Sequence, residues 1–294
     1  MKPEDIIKPY ISLLEQDLKT LVIENENELK DDVLGFLFAP SKRLRPVFTY
    51  LCSFALKNKP SGDIQKIALA LELLHSATLV HDDILDESMQ RRGRESFYSK
   101  FGAKRAVIAG DYLLSLCFKV LSELKHPDVF KIFSSNILKT INGEINQFNT
   151  RFQISSKEEY FRKTSAKTAN LFVCAAQSVC SILGTDEYTK NVFEDFALGF
   201  GTVFQMRNDI KDFSCSKDDI ENGIYTLCAI YFKQDNPSCD IIDLESNKAA
   251  LYIKKAADET DKIAQDTADG LNRLKDGTYD LSAVDMLKNL CLNI

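Results

Sequence analysis

Apolar residues recur along this chain at spacings of three and four, the period that lines one face of an α-helix. The strict alternation of a half-buried strand is nearly absent. The pattern predicts helices over residues 3–18, 24–37, 43–57, 63–88, 102–125, 127–149, 157–183, 186–213, 219–233, 247–272 and 281–291. Between them stand residues that end helices: Lys59-Pro60-Ser61-Gly62, Phe101-Gly102, His126-Pro127, Leu183-Gly184-Thr185, Asn236-Pro237 and Asp276-Gly277. Several of these helices are long and have apolar faces wide enough to meet more than one neighbour. The expectation is an all-α fold, a single domain over residues 1–294, built as a large bundle around a central cavity. No linker, repeat or low-complexity segment divides the chain.

One stretch departs from the amphipathic pattern. Ile67 to Val80, IALALELLHSATLV, is almost entirely apolar or small, so the helix that carries it is buried. It runs directly into His81-Asp82-Asp83-Ile84-Leu85-Asp86. Carboxylates at the end of a buried helix must be paired, metal-bound or open to a cavity. Residues four apart share a helix face roughly 6 Å apart. Asp82 and Asp86 therefore project together, as do Asn208 and Asp212 in the second acidic cluster, Gln205-Met206-Arg207-Asn208-Asp209-Ile210-Lys211-Asp212. Adjacent carboxylates repel unless a cation sits between them. Mg²⁺ takes one or two protein carboxylates and completes its octahedron with water and phosphate oxygens. Two such helical faces suit a diphosphate gripped from both sides through magnesium.

At 294 residues and 45% hydrophobic content the chain can bury a large core. A net charge of -6 and a pI near 5.3 argue against a nucleic-acid partner held by bulk charge. Basic residues concentrate locally instead, at Lys42-Arg43-Leu44-Arg45 and Arg91-Arg92-Gly93-Arg94. The eight cysteines form no CxxC pair and several lie in apolar runs, which reads as buried thiols in a reducing cytoplasm. The start, MKPEDIIKPY, lacks the features of a signal peptide, and no uncharged stretch is expected to reach the roughly 18 apolar residues of a membrane span.

In chain order the polar landmarks are Lys42-Arg43-Leu44-Arg45-Pro46, Leu74-His75, Asp82-Asp83-Ile84-Leu85-Asp86, Arg91-Arg92-Gly93, Gly110-Asp111-Tyr112-Leu113-Leu114, Lys167-Thr168 and Phe204-Gln205 ahead of the second cluster. Each alone reads as solvated surface or core. Their order resembles that of the trans-isoprenyl diphosphate synthases, or polyprenyl synthetases, over most of the chain. The string HDDILDES followed closely by RRG is its most specific part. The resemblance implies Mg²⁺-dependent ionisation of an allylic diphosphate, attack on the cation by the double bond of isopentenyl diphosphate, and loss of a proton. It makes Asp82 and Asp86 ligands of two Mg²⁺ ions, with Asp83 in support. It assigns Arg91 and Lys167 to the allylic diphosphate, and Lys42, Arg45, His75 and Arg92 to isopentenyl diphosphate. It also counts Thr168 and Gln205 among the substrate-binding residues, and Asn208, Asp209 and Asp212 as the site of a third ion. A homodimer is implied as well. His81, Cys174 and Cys180 are read as structural.

The chain departs from that family's pattern after the second cluster. Asn208 stands where an aspartate is usual, and an amide oxygen ligates Mg²⁺ without bringing charge. The segment after Asp212 is short, Ile224 replaces a lysine and Cys228 a proline, although Lys211 or Lys217 supplies a nearby cation. These losses open a second reading, a weakly active or non-catalytic subunit of a heteromeric synthase. A terpene cyclase fits less well, since its second motif needs Ser or Thr and then Glu where Asp212 and Ser216 stand. Product length is expected to be set along the buried helix. One turn rises about 5.4 Å, close to one isoprene unit, so Thr78, Ala77 and then Leu74 line the tail's path. The small Ala77 leaves it open, and the resemblance implies that a small residue here goes with products of about twenty carbons or more, with a floor at Leu74 or at a facing side chain such as Phe118.

Overall fold

The buried helix is where the fold begins. In a computed structural model describing residues 3–91, 93–215, 218–241, 246–274 and 277–294, helix α4 spans Gly62–Leu85. Ser61 caps it, its hydroxyl accepting a bond from the Ile64 amide. Every residue from Ile67 to Leu74 is buried. Before it come α1 (Pro3–Glu24), α2 (Lys30–Leu37) and α3 (Leu44–Ala55), and after it α5 (Phe97–Ser122), bent at Gly102. Among the described residues the only strands are β1 (Gln90–Arg91) and β2 (Arg94–Glu95), a minimal antiparallel hairpin.

Two compact units make up the chain. Residues 1–131 with 178–184 form the first, and residues 132–177 with 185–294 the second. In the first, α4 lies along α5 and also packs on α3 and α1, burying Leu14, Leu18, Phe48, Tyr50 and Ile64 completely. The second holds most of α6 (Pro127–Asn149), α7 (Lys157–Thr164), most of α8 (Asn170–Leu183), α9 (Glu187–Cys215), α10 (Asp218–Glu221), α11 (Leu227–Asp235), α12 (Ser246–Gly270) and α13 (Leu281–Asn293). Its core is aromatic. Phe172 meets Phe200 edge-on at 4.9 Å, and Tyr160, Met206, Leu227, Phe232 and Tyr252 form a buried cluster.

Three sequence expectations change in detail. The helix expected over 219–233 is two short ones, because the chain leaves the helical path at Gly223, φ +72°, where an added Cβ would strike Phe152. The helix expected from 24 starts at Lys30, since Asn25 closes α1 with both its backbone and side-chain N–H on the Leu21 carbonyl. Finally, the run Lys157–Leu183 is long and apolar enough to cross a membrane by length and composition. Lys167 interrupts its uncharged stretch without lowering the mean hydropathy below 1.2, and 67% of the apolar window is buried within the protein.

Candidate active site

The first acidic cluster occupies the end of α4. Glu87 adopts a left-handed φ of 48°, its amide bonding the Ile84 carbonyl while that of Ser88 bonds the Asp83 carbonyl at 2.9 Å. This paired reversal stops the helix at Leu85 and turns the chain into β1. Asp82 and Asp86 sit one turn apart, joined through the Asp86 amide and the Asp82 carbonyl at 2.9 Å, and both are half-buried. Asp83, between them in sequence, is fully buried. Arg91 returns from the hairpin and donates to the Asp83 Oδ1 from Nε at 2.8 Å and from Nη2. That pair ties the loop holding Arg91 to the helix holding Asp82 and Asp86. Arg92 lies outside the described residues.

Lys42 is exposed just ahead of α3, while Arg45 is buried in its first turn. Between them Arg43, 5% exposed, pairs with the buried Glu72 of α4. His75 is half-buried one turn further along α4. Leu74 and Ala77 are buried and Thr78 half-buried, its hydroxyl bonded back to the His75 carbonyl. His81 packs flat against Gly110 of α5, where a Cβ would come within 2.2 Å of its Nε2. This is a structural reason for both residues. Phe118, the suggested floor, is 39% exposed and beside Phe130.

In the second unit a π-helical turn, Ser165–Ala169, joins α7 to α8, and its wide ring is closed by the Asn170 amide on the Ser165 carbonyl. It carries Lys167 and Thr168. Lys167 pairs with Glu144 of α6 at 2.8 Å. From Thr168 a chain of bonds runs into α9: Thr168 Oγ1 donates to Gln205 Oε1, Gln205 Nε2 donates to Asp209 Oδ1, and Tyr160 donates to Asp209 Oδ2, each at 2.7 Å. The structure thus brings Thr168, Gln205 and Asp209 together. Asn208 is half-buried and Asp212 exposed. Burial pushes the Asp209 carboxyl up to about 7, outweighing the bonds from Tyr160 and Gln205 that favour its charged form. Partial desolvation of its carboxyl raises Asp212 too, exposed as the residue is overall, with Lys211 opposing. Ile224 is half-buried, Cys228 opens α11 as a buried thiol, and Ser216 and Lys217 lie outside the described residues.

Sequence reasoning missed Tyr160 and Glu144. A signal for the first was available, since Tyr160, Thr164 and Thr168 recur at helical spacing, one face of an otherwise charged segment. For Glu144 there was none, because its partner is on another helix.

Whether this chain suits magnesium can be judged from its donors. Asp82 and Asp86 offer two oxygen ligands on one helical turn, and the second cluster offers oxygen only. Among the described residues no group of three His, Cys, Asp or Glu is assembled into a cage. Magnesium needs none, because one or two carboxylates plus phosphate oxygens and water complete its shell. The residues fit.

The sequence profile of the family described as Polyprenyl synthetase matches residues 27–265. The chain belongs to the polyprenyl synthetase family. A family relative from Rhodobacter capsulatus, all-trans-nonaprenyl-diphosphate synthase (geranyl-diphosphate specific), is 34% identical over 85% of this chain and 84% of its own length. Component 2 of heptaprenyl diphosphate synthase from Geobacillus stearothermophilus is 27% identical over 97% of this chain and 94% of its own. The crystal structure of heptaprenyl diphosphate synthase from Staphylococcus aureus superposes with a TM-score of 0.86 at 26% identity, covering 99% of this chain and 98% of that one. Other polyprenyl synthetase relatives are longer, and the chain spans 52% and 64% of two of them.

Proposed function

We propose that this polyprenyl synthetase is a trans-polyprenyl diphosphate synthase, condensing isopentenyl diphosphate with an allylic diphosphate to give a product of twenty or more carbons. The observation that carries the reading is the end of α4: two half-buried carboxylates one turn apart, with the third turned inward onto Arg91. Asp82 and Asp86 would hold Mg²⁺, and Asn208, Asp209 and Asp212 a further ion. Asp209 already accepts bonds from Tyr160 and Gln205, and a carboxylate retains lone pairs beyond two such bonds. When bound, Mg²⁺ supplies positive charge against that developing on the departing diphosphate.

The protein's own side chains bind and orient. Lys167, braced by Glu144, and Arg91, braced by Asp83, donate to the allylic diphosphate, and Thr168 and Gln205 complete that shell. Lys42, Arg45, His75 and Arg92 hold isopentenyl diphosphate, where a guanidinium fork matches phosphate oxygens in pairs. Leu74, Ala77 and Thr78 border the growing tail. The family match runs through both units, and they act as one domain. Six of the cysteines are buried, in keeping with a cytoplasmic protein. A homodimer accounts for the exposed apolar row Leu138, Ile141, Ile145 and Phe148 on α6.

The likeness to a heptaprenyl synthase component favours a second reading, a subunit that works with another chain. Asn208 and the altered segment around Ile224 and Cys228 point the same way. One assay separates the two. Purified chain with farnesyl diphosphate, isopentenyl diphosphate and Mg²⁺ should extend the primer, and Asp82→Ala should lower turnover by at least about a hundredfold, a few kcal/mol of barrier, with an unchanged circular dichroism spectrum. Wild-type turnover no faster than that of Asp82→Ala would hand the case to the partner-subunit reading.

A further inference from the structure

The cationic segment before α3 contains one residue that neither solvent nor substrate explains. Arg43 is 5% exposed and sits at φ 47°, ψ 41°, a left-handed conformation that costs a non-glycine residue about 1–2 kcal/mol. Such a conformation persists only where its surroundings over-determine it. Here they do. Nη1 lies 2.5 Å from Oε1 of Glu72, itself 1% exposed, Nη2 donates to the Leu37 carbonyl at 2.6 Å, and Glu15 stands 3.8 Å from Nε. A single guanidinium thus joins the end of α2, the backbone at the start of α3 and the middle of α4.

Stability alone is a poor reason for this arrangement. Desolvating two charges costs several kcal/mol per ion, and buried pairs replaced by apolar residues of similar volume are often as stable or more so. What the pair does supply is geometry. Lys42 and Arg45 flank Arg43 along the chain, and His75 lies three residues after Glu72 on α4. We propose that Arg43 and Glu72 are positioning residues for isopentenyl diphosphate, fixing Lys42 and Arg45 on one element relative to His75 on another. The inference rests on the assignment of those three residues to that substrate. Arg43, spent on Glu72 and Leu37, is not itself a ligand.

Calorimetric titration of the full chain tests this, with isopentenyl diphosphate in the absence of metal and, separately, farnesyl diphosphate with Mg²⁺. Arg43→Met/Glu72→Met removes both charges together, so it leaves no buried ion stranded and should melt close to wild type. Its Kd for isopentenyl diphosphate should rise about tenfold or more, while that for farnesyl diphosphate stays within about twofold. A purely structural pair would leave both constants unchanged or weaken both alike, and either result overturns the proposal. Should the double variant not fold, Glu72→Gln, which keeps the shape and drops the charge, is read in the same way. Lys42→Ala checks the assignment beneath. If it binds isopentenyl diphosphate as wild type does, or if wild type does not bind it at all, the site has been misassigned and the positioning role falls with it. If Lys42→Ala binds weakly and the double variant normally, only the positioning role fails.

Discussion

In the proposed second metal site Asn208 stands where a carboxylate would bring charge. Its neighbours only partly compensate, since Asp212 is exposed and Asp209 is buried with both oxygens already accepting bonds. Asn208→Asp should therefore lower the Mg²⁺ concentration giving half-maximal turnover, by about threefold or more, since each tenfold is 1.4 kcal/mol of binding. A metal titration of the assay checks it, and no shift would mean that Asp209 and Asp212 already complete the site. Asp209 carries a pH signature of its own. Its folded pKa, about 7, lies above the usual 3.8, so folding favours the protonated form. The stability it contributes is present in acid and is lost as the pH rises towards 7. In metal-free buffer Asp209→Asn should gain on wild type over that range, by up to a few kcal/mol at 1.4 kcal/mol per unit, as read from urea melts at successive pH values. The acidic clusters were legible in the sequence because their members are close in the chain. Tyr160, Glu144 and Glu72 were not, because each is defined by a partner on another element.

At the scale of elements, α4 shows what periodicity can and cannot give. Its burial followed from the missing polar face, and its end from the polar run beginning at His81. The Glu87 reversal and the return of Arg91 onto Asp83 were invisible, since neither depends on a recognisable turn sequence. The helix over 219–233 was misjudged for the opposite reason, one glycine in a left-handed conformation outweighing a continuous apolar pattern. Ala77 is buried a little over one turn before Asp82. If the product's tail follows this helix, Ala77→Phe should shorten the product towards about fifteen carbons, one isoprene unit per 5.4 Å turn. Chromatography of the dephosphorylated products decides it, and an unchanged distribution would place the tail elsewhere. Overpacking costs about 1–3 kcal/mol, so the variant's melting curve belongs beside the chromatogram.

For the whole molecule, helical periodicity and long apolar faces were enough to read an all-α fold, which the likeness to a solved synthase bears out. The division into two compact units was not legible, since two of the three passages between them lie inside helices α6 and α8, and the third, at Gly184, reads in the sequence as an ordinary break between helices. The exposed row on α6 has its own consequence for assembly. Leu138, Ile141, Ile145 and Phe148 recur at spacings of three and four along one face. Light scattering on wild type should give twice the chain mass, and Ile141→Glu/Ile145→Lys should give the chain mass alone with helicity retained. A wild-type monomer would remove the homodimer and leave that face to a different subunit.

The π turn at Ser165–Ala169 holds one residue more than a regular helix would use. As a helix, the segment would tolerate losing a codon here better than anywhere else along it, relaxing to ordinary α geometry. The site would not, because without the extra residue Lys167 and Thr168 would take ordinary α positions and could no longer face Glu144 and Gln205 together. On the proposed roles of Lys167 and Thr168, length in this stretch is set by the site, so single-residue deletions between 165 and 169 should keep the circular dichroism spectrum and lose prenyl transfer.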